Sequence, residues 1–207
     1  MESALRDGGH DPALRLIETL RSDADDARLT RHLARMARGA AALGWAFDAA
    51  AALQALCVHR ASPVRLRLTL DHDGRFAVET ANLPPPAALW RLKVASGRLA
   101  STDPWLTLKS TRRAAYDAER AALPADVDEA IFVNERGEVC DGTITTVFFD
   151  RGQGMRTPPL TCGLLPGVLR EELACGEEVL LSDDLPKVRL WVGNSLRGLI
   201  PARLWRG

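Results

Sequence analysis

Residues 128–149 read DEAIFVNERGEVCDGTITTVFF and contain three short apolar segments. The segments 129–133, 139–141 and 145–149 are rich in β-branched and aromatic residues, which favour strands. Residues 134–137, between the first two segments, are polar and end in glycine, as turns commonly do. The stretch therefore predicts a series of adjoining short strands in the second half of the chain.

The first half of the chain has helical and strand patterns of its own. Residues 29–43 place apolar side chains at spacings of three and four, which predicts a helix that Gly44 ends. Residues 64–71 alternate strictly, so that Arg65 and Arg67 lie on the face opposite the leucines. The remaining predicted elements are strands at 14–21, 75–80, 89–94 and 188–192 and helices at 49–59, 112–123 and 166–174.

The loop Ser-Thr-Asp-Pro at 101–104 separates these two sets of elements. A chain of 207 residues is long enough to form two small domains. We therefore predict an α+β fold that divides near residue 100, with a small α/β domain over 1–100 and a larger domain over 101–207.

The composition excludes several classes of protein. The formal net charge is zero, whereas nucleic-acid-binding domains usually carry a basic excess. No apolar run approaches the roughly 18 residues that a membrane helix needs, and the polar start is unlike a signal peptide. The four cysteines, Cys57, Cys140, Cys162 and Cys175, form no closely spaced pair. This spacing indicates free thiols in a cytoplasmic protein and predicts neither disulfides nor a metal site.

Only three lysines, at positions 93, 109 and 187, occur among the 27 basic residues. From Lys109 onward a series of motifs follows in order: KSTRRAAY at 109–116, DEAIFVN at 128–134, DGTITTVF at 141–148, GLLPGVLR at 163–170 and GNSLRGL at 193–199. Earlier in the chain stand ETLR at 18–21 and HLARM at 32–36. The whole series, from about Leu14 to the end, resembles the class IV aminotransferases, also called fold-type IV pyridoxal-phosphate enzymes. It looks most like the short members related to 4-amino-4-deoxychorismate lyase.

The resemblance implies a D-amino-acid aminotransferase-like fold, in which the larger domain is barrel-like, and pyridoxal 5'-phosphate as the cofactor. A pyridoxal-phosphate enzyme needs an amine to hold the cofactor and to move the substrate proton. Lys109 stands where the family places this amine, between a strand and a helix, and is expected to form the Schiff base. Lys93 and Lys187 have no such setting and are expected to be surface lysines.

The resemblance also implies a carboxylate opposite the cofactor ring nitrogen, which keeps that nitrogen protonated. The family uses glutamate before glycine, whereas this chain has the shorter Asp141 before Gly142. A turn aspartate is the alternative interpretation, because Asp-Gly is a common turn. The family's asparagine four residues after the glycine is Thr146 here. Tyr116 is a candidate for contact with the phenolic oxygen of the cofactor, or else a structural tyrosine.

The cofactor phosphate is expected to be held by a helix N-terminus and an arginine. By resemblance, the backbone amides of Val168 and Leu169 form the family's phosphate cup, and Asn194 and Ser195 add a further contact. Arg35 matches the arginine that reaches the phosphate from a helix of the first domain. The alternative for Arg35 is an ordinary solvated helix arginine.

Substrates of this family carry carboxylates, which arginine binds through two parallel hydrogen bonds. Four arginines are candidates, each with an ordinary solvated or structural role as the alternative: Arg21, Arg65, Arg67 and Arg197. The segment before Leu14 is shorter than in most members of the family. We therefore expect an open substrate pocket, or one that a second subunit completes.

These observations predict a cytoplasmic, homodimeric pyridoxal-phosphate enzyme that acts on a small amino substrate with a carboxylate and binds neither nucleic acid nor membranes. The favoured activity is 4-amino-4-deoxychorismate lyase, which releases pyruvate and leaves 4-aminobenzoate for folate biosynthesis. The alternatives are transamination of branched-chain or D-amino acids, and a non-catalytic protein that keeps the fold.

Overall fold

The computed structural model describes residues 2–57 and 61–206 and divides the chain into two compact units. The first unit comprises Met1–Pro85 and Leu108–Arg112, and the second comprises Pro86–Thr107 and Arg113–Gly207. Each unit has its own sheet, and the two sheets contain three and eight strands.

The first unit is an antiparallel sheet with helices, and its strands run in the order β1-β2-β3. Its helices are α1 (Glu2–Gly8), α2 (Asp26–Leu43) and α3 (Ala49–Leu56), and its strands are β1 (Leu16–Arg21), β2 (Arg65–Leu70) and β3 (Phe76–Ala81). Helix α2 begins where the Asp25 side chain accepts a hydrogen bond from the Arg28 amide at 2.7 Å, a standard N-terminal cap. It ends at Gly44, as predicted, because the glycine adopts a φ of 74° that other residues rarely adopt.

The alternation predicted for β2 is confirmed by the burial of its side chains. Leu66, Leu68 and Leu70 are buried, whereas Arg65 is exposed and Arg67 is half-exposed. The leucine face forms part of the unit's core because side chains two residues apart point to the same side of a strand.

The segment Leu108–Arg112 belongs to the first unit because its backbone pairs with β1. The Ile17 amide donates to the Lys109 carbonyl at 2.8 Å, and the Thr111 amide donates to the Arg15 carbonyl at 2.8 Å. The units therefore differ from the predicted division near residue 100, which assigned this segment to the larger domain. A domain boundary predicted from a loop could not assign this segment to the first unit, because the backbone pairing joins residues far apart in the sequence.

The second unit is a sheet whose strand order is β10-β11-β4-β5-β6-β7-β8-β9. Its strands are β4 (Trp90–Leu99), β5 (Glu129–Asn134), β6 (Val139–Gly142), β7 (Thr146–Asp150), β8 (Arg156–Thr157), β9 (Gly176–Glu177), β10 (Arg189–Asn194) and β11 (Gly198–Leu204). Its α-helices are α4 (Ala114–Ala121) and α5 (Val168–Leu173). Strand β10 pairs with both β11 and β7, so the sheet closes on itself, as predicted for the larger domain.

Strand β5 lies in the middle of this unit and is buried along its whole length. Ile131 and Val133 pack into one apolar cluster, and Ala130 and Phe132 pack into a second one on the other side. Burial on both faces explains why the apolar segment 130–133 is continuous instead of alternating.

Several elements differ from the prediction. Strand β4 continues to Leu99, beyond the predicted 89–94, and β11 was not predicted because Pro201 interrupts its pattern. Helices α4 and α5 are shorter at both ends than predicted. Helix α3 ends at Leu56, and residues 58–60 of the predicted helix 49–59 lie outside the described residues. Within the ranges that the structure describes, no helix combines the length and apolar character needed to cross a membrane.

Candidate active site

Asp141 lies on β6, immediately before the turn at residues 142–145 that leads into β7, and its side chain is buried. In the antiparallel pairing of the two strands, Asp141 stands opposite Thr146, which is also buried. The carboxylate that was predicted to face a cofactor ring and the threonine that replaces the family's asparagine are therefore neighbours. A buried carboxylate is costly and calls for polar or charged partners.

Thr146 joins this pair to the start of helix α5. A Cβ atom built on Gly167 would lie 2.7 Å from the Thr146 hydroxyl oxygen, a distance that real Cβ atoms do not reach. Gly167, immediately before α5, is therefore needed as glycine so that β7 and the helix start can approach closely. Val168 and Leu169, whose amides are candidates for binding phosphate, follow directly and are buried.

The end of β10 completes this group of residues. Gly193 pairs with Thr146 across the β7–β10 closure, and a Cβ at Gly193 would lie 2.7 Å from Cδ2 of Leu169. Asn194 follows, and its side-chain amide donates to the Ile144 carbonyl at 3.0 Å. Its Oδ1 accepts from the amides of Leu196 and Arg197 at 3.1 and 2.9 Å.

Five candidate positions are thus joined in the second unit through β6, β7, β10 and α5. They are Asp141, Thr146, Val168, Leu169 and Asn194. Ser195, the next residue after Asn194, is buried as well. The sequence interval between these positions is large, and the closure of the sheet brings them together.

Tyr116 lies on α4 and packs its ring against Phe132 at a centroid distance of 4.9 Å. The Arg113 guanidinium lies 5.8 Å from the centroid of the same ring. Burial, and then the negative charge of Asp141, raise the pKa of the Tyr116 hydroxyl well above its usual range. The phenol therefore stays protonated at neutral pH and can donate a hydrogen bond.

Glu129 is a residue of this region that was quoted in a motif but not given a role. It begins β5, is fully buried, and accepts hydrogen bonds from the backbone amides of Thr143 and Ile144 at 3.0 and 3.2 Å. The signal in the sequence was a carboxylate directly before a continuous apolar strand, where a charge is unfavourable unless it has partners.

In the first unit, Lys109 is half-buried and its backbone is fixed against β1. The two other lysines of the chain lie in the second unit and are both engaged in ion pairs. Nζ of Lys93 lies 2.6 Å from the Glu119 carboxylate, and Nζ of Lys187 lies 2.8 Å from the Asp184 carboxylate. Both side chains thus take part in ion pairs within the second unit, and their lack of a catalytic role stays a prediction.

Arg35, the predicted phosphate ligand, is buried in the first unit together with Glu18 and His32. Its Nε and Nη2 atoms donate to the two oxygens of Glu18 at 2.8 and 2.6 Å, and Nδ1 of His32 lies 2.6 Å from the same carboxylate. Burial raises the pKa of Glu18, but the charge and hydrogen bonds of Arg35, with smaller contributions from His32, lower it more, to about 2. The bidentate pair holds the guanidinium in one orientation.

The four arginines predicted to bind substrate are divided between the two units. Arg21, Arg65 and Arg67 belong to the first unit, where Arg21 and Arg65 are paired neighbours on β1 and β2. Arg21 makes a bidentate pair with Asp23 at 2.8 and 2.9 Å, and Arg67 lies 3.5 Å from the Glu79 carboxylate. In the second unit, the guanidinium of Arg197 lies 5.2 Å from the centroid of the Trp90 ring.

A surface groove of about 900 Å³ in the second unit lies along β10 and β11. Its lining includes Arg189, Trp191, Arg203 and Trp205, and none of the residues predicted to bind cofactor or substrate. The groove is therefore not the site formed by the candidate residues of β6, β7 and α5.

The sequence matches the family model for amino-transferase class IV over residues 15–205. The chain therefore belongs to the class IV aminotransferase family, which consists of enzymes that depend on pyridoxal phosphate. The predicted family, fold class and cofactor are confirmed by this match, which also favours an enzyme over the non-catalytic alternative.

Similar proteins occur among solved structures and curated sequences. A candidate amino-acid aminotransferase from Mesorhizobium loti is 42% identical with a TM-score of 0.88, and the match covers 93% of this chain and 100% of that chain. A candidate branched-chain amino acid aminotransferase from Thermotoga maritima, at 22% identity and a TM-score of 0.78, shares the fold over 92% of this chain and 77% of that chain.

Aminodeoxychorismate lyase of Bacillus subtilis (strain 168) is 36% identical over 87 residues, which cover 35% of this chain and 28% of that protein. The match thus spans little more than a quarter of the length of that curated relative.

The residues of the second unit fit pyridoxal phosphate by their chemistry. A buried carboxylate suits a protonated ring nitrogen, and backbone amides, a side-chain amide and hydroxyls suit a phosphate.

The Glu18–Arg35 pair predicts a specific dependence of stability on pH. The folded-state pKa of Glu18 is lowered from 4.5 to about 2, so its stabilising contribution is complete above pH 4.5 and is lost as the pH falls towards 2. We expect the parent protein to lose about 3 kcal/mol of unfolding free energy over this range through Glu18. Glu18→Gln should remove that part of the loss in urea unfolding experiments at several pH values.

Glu79→Gln is the matched control, because Glu79 also pairs with an arginine of the first unit but its side chain is 71% exposed. It should leave the pH dependence unchanged to within about 0.5 kcal/mol. If Glu18→Gln kept the full pH dependence of the parent, the buried pair would not be the origin of the acid sensitivity.

Proposed function

We propose that this chain binds pyridoxal phosphate covalently through Lys109, with Asp141 opposite the ring nitrogen. Arg35 and the amides of Val168 and Leu169 bind the phosphate in this proposal. The observation that carries it is the connected group in the second unit, in which the pairing of β6, β7 and β10 joins Asp141 to the start of α5. The family membership of the chain supplies the cofactor.

The proposed chemistry follows from the side chains. When bound, pyridoxal phosphate serves as an electron sink for the negative charge that develops on the substrate α-carbon. The Lys109 amine takes the proton from that carbon, and the Asp141 carboxylate keeps the ring nitrogen protonated. The Tyr116 hydroxyl, which its raised pKa keeps protonated, donates a hydrogen bond to the phenolic oxygen.

Aspartate is one methylene shorter than the glutamate of the family. Thr146 is likewise smaller than the family's asparagine, and it faces Asp141 across the strand pair. Both departures shorten the side chains on the same side of the proposed site. A cofactor held here would meet an aspartate and a threonine in place of the family's longer glutamate and larger asparagine.

The proposed reaction is release of pyruvate from 4-amino-4-deoxychorismate, which leaves 4-aminobenzoate. It is supported by the sequence similarity to the lyase of Bacillus subtilis, and it needs an arginine for each substrate carboxylate, for which Arg65 and Arg67 are candidates. Transamination of branched-chain or D-amino acids is the second candidate. The similarity to the candidate amino-acid aminotransferase from Mesorhizobium loti supports transamination without indicating which amino acid is used. A homodimer with a shared substrate pocket remains part of the proposal.

Replacement of Lys109 by alanine is expected to abolish covalent binding of the cofactor. In the parent protein, borohydride reduction followed by peptide mapping should place the pyridoxyl group on Lys109, because Lys93 and Lys187 are held in ion pairs. Lys187→Ala is the matched control and should keep the parent's label. A pyridoxyl group found on Lys93 or Lys187 would show that the assignment is wrong.

Asp141→Asn should leave most of the cofactor affinity intact but lower kcat by about 100-fold or more, because an amide does not keep the ring nitrogen protonated. Asp141→Glu restores the residue of the family and should retain or raise the rate. Steady-state kinetics on the same substrate compare the three proteins. If Asp141→Asn turned over at the rate of the parent protein, Asp141 would be a turn residue without a catalytic role.

The two candidate reactions share Lys109 and Asp141, so only products distinguish them. We expect the purified enzyme to convert aminodeoxychorismate into equal amounts of 4-aminobenzoate and pyruvate. With L-leucine or D-alanine plus 2-oxoglutarate, little glutamate should form. Rapid glutamate formation without 4-aminobenzoate would establish the transaminase instead, while the cofactor assignment would stand.

A further inference from the structure

Glu129 is a fully buried carboxylate, and most of its hydrogen bonds go to one turn of the chain. Its Oε1 also accepts from the Ala130 amide at 3.0 Å and lies 3.5 Å from the Arg120 guanidinium, which donates to the Thr143 hydroxyl at 3.1 Å. The turn comprises residues 142–145 and connects β6 to β7. Oε1 of Glu129 accepts from the Thr143 amide at 3.0 Å and from the Thr143 hydroxyl, and Oε2 accepts from the Ile144 amide at 3.2 Å and the Thr145 hydroxyl at 2.9 Å. One side chain thus binds three successive residues of the turn.

The packing of Gly142 shows how closely this carboxylate fits the turn. A Cβ at Gly142 would lie 2.9 Å from Oε2 of Glu129 and 2.5 Å from the Thr145 hydroxyl oxygen. The Gly142 amide also donates to the Thr145 carbonyl at 2.7 Å, which closes the turn. The Thr145 hydroxyl and the Glu129 carboxylate together leave no room for a Cβ at position 142, although the backbone φ there is not positive.

Other side chains hold the outer side of the same turn. The Arg113 guanidinium donates to the Thr143 carbonyl at 2.9 Å, and the Asn194 amide donates to the Ile144 carbonyl at 3.0 Å. The turn is thus held from both sides, with the Glu129 carboxylate on one side and an arginine and an asparagine on the other.

This turn separates the two residues on which the cofactor geometry depends. Asp141 immediately precedes it and Thr146 immediately follows it. We propose that Glu129 is a positioning residue of the active site, which fixes the Asp141 carboxylate towards the cofactor ring nitrogen by holding the 142–145 turn in one conformation. The inference rests on the proposed role of Asp141 and names a residue that acts through it.

The free energy needed to bury the Glu129 carboxylate favours a positioning role over simple packing. A buried carboxylate carries a large desolvation penalty, which is offset only when its oxygens accept several well-oriented hydrogen bonds. Glu129→Gln keeps the shape of the side chain but turns an NH2 group towards amide and hydroxyl donors. The donors of the turn then lose one of the two oxygens that accept their hydrogen bonds. Because the Glu129 side chain is fully buried, water does not easily take the place of that oxygen.

The matched control is Glu119→Gln. Glu119 is also a buried carboxylate of the second unit, but its partners are Lys93 and Ser96 and it makes none of the hydrogen bonds to the turn. Both variants remove a buried charge, so a general loss of stability should appear in both. An effect transmitted through Asp141 should appear in Glu129→Gln alone.

The experiment is a pH titration of the absorbance band of the pyridoxal-phosphate-loaded protein. Asp141→Asn should move the midpoint to higher pH, because loss of the proton from the ring nitrogen makes Nζ of Lys109, the nitrogen through which the cofactor would be attached, more basic. Glu129→Gln should move it in the same direction, whereas Glu119→Gln should leave it in place. In the Asp141→Asn background, Glu129→Gln should add no further shift, since coupled residues are not additive.

Turnover should follow the same pattern, with a loss of about tenfold in Glu129→Gln that largely disappears in the Asp141→Asn background. Thr145→Val is a milder second variant, which keeps the volume and removes one donor to Glu129, and it should cause a smaller shift in the same direction. Urea unfolding of each variant measures the general stability separately.

Two results would overturn the inference while leaving the proposed function intact. One is an unshifted band in Glu129→Gln and Thr145→Val despite a lowered unfolding midpoint, and the other is an equal shift with and without Asp141. A parent protein without any cofactor band would instead contradict the proposed function and this inference together.

Discussion

The closure of the second sheet is the constraint on which the site depends. Strand β10 pairs with β11 on one side and with β7 on the other, so β7 lies between β6 and β10. Thr146 consequently faces Asp141 in one strand and Gly193 in the other. Without this closure, residues that are about fifty positions apart in the chain would share no common surface.

Close backbone approach is the second requirement of this arrangement. Gly142, Gly167 and Gly193 all lie where a Cβ would meet a neighbouring atom at less than 3.0 Å. They bring a turn, a helix start and a strand end together around the β6–β7 pair. The glycines of the motifs thus have a packing role at these positions, which is separate from any need for an unusual φ.

Buried carboxylates organise each unit from within. In the first unit, Glu18 fixes the Arg35 guanidinium through two hydrogen bonds, and in the second unit Glu129 fixes the turn between Asp141 and Thr146. In both cases the carboxylate contacts a residue or turn that is proposed to position the cofactor. This division of labour is common in sites that need a rigid geometry.

Local patterns in the sequence predicted most elements, because alternation and helical spacing report directly on burial. The leucine face of β2 and the end of α2 at Gly44 are examples. The return of the Leu108–Arg112 segment to β1 was not predictable, since backbone pairing between distant residues leaves no mark on side-chain pattern. Strand β11 was missed because it contains Pro201.

The candidate site could be predicted only in part, and for a related reason. The ordered motifs identified the family and its cofactor, but they could not show that Arg21 and Arg67 have acidic partners within their own unit. The role of Glu129 depends on which donors surround it after folding. A motif shows that a carboxylate is present, and only the folded structure shows what it binds.

A crystal structure of the protein loaded with pyridoxal phosphate tests the central claim most directly. We expect continuous density from the cofactor to Nζ of Lys109 and a ring nitrogen about 3 Å from the Asp141 carboxylate. A ring nitrogen that faces another group, or density that joins the cofactor to Lys93 or Lys187, would contradict it.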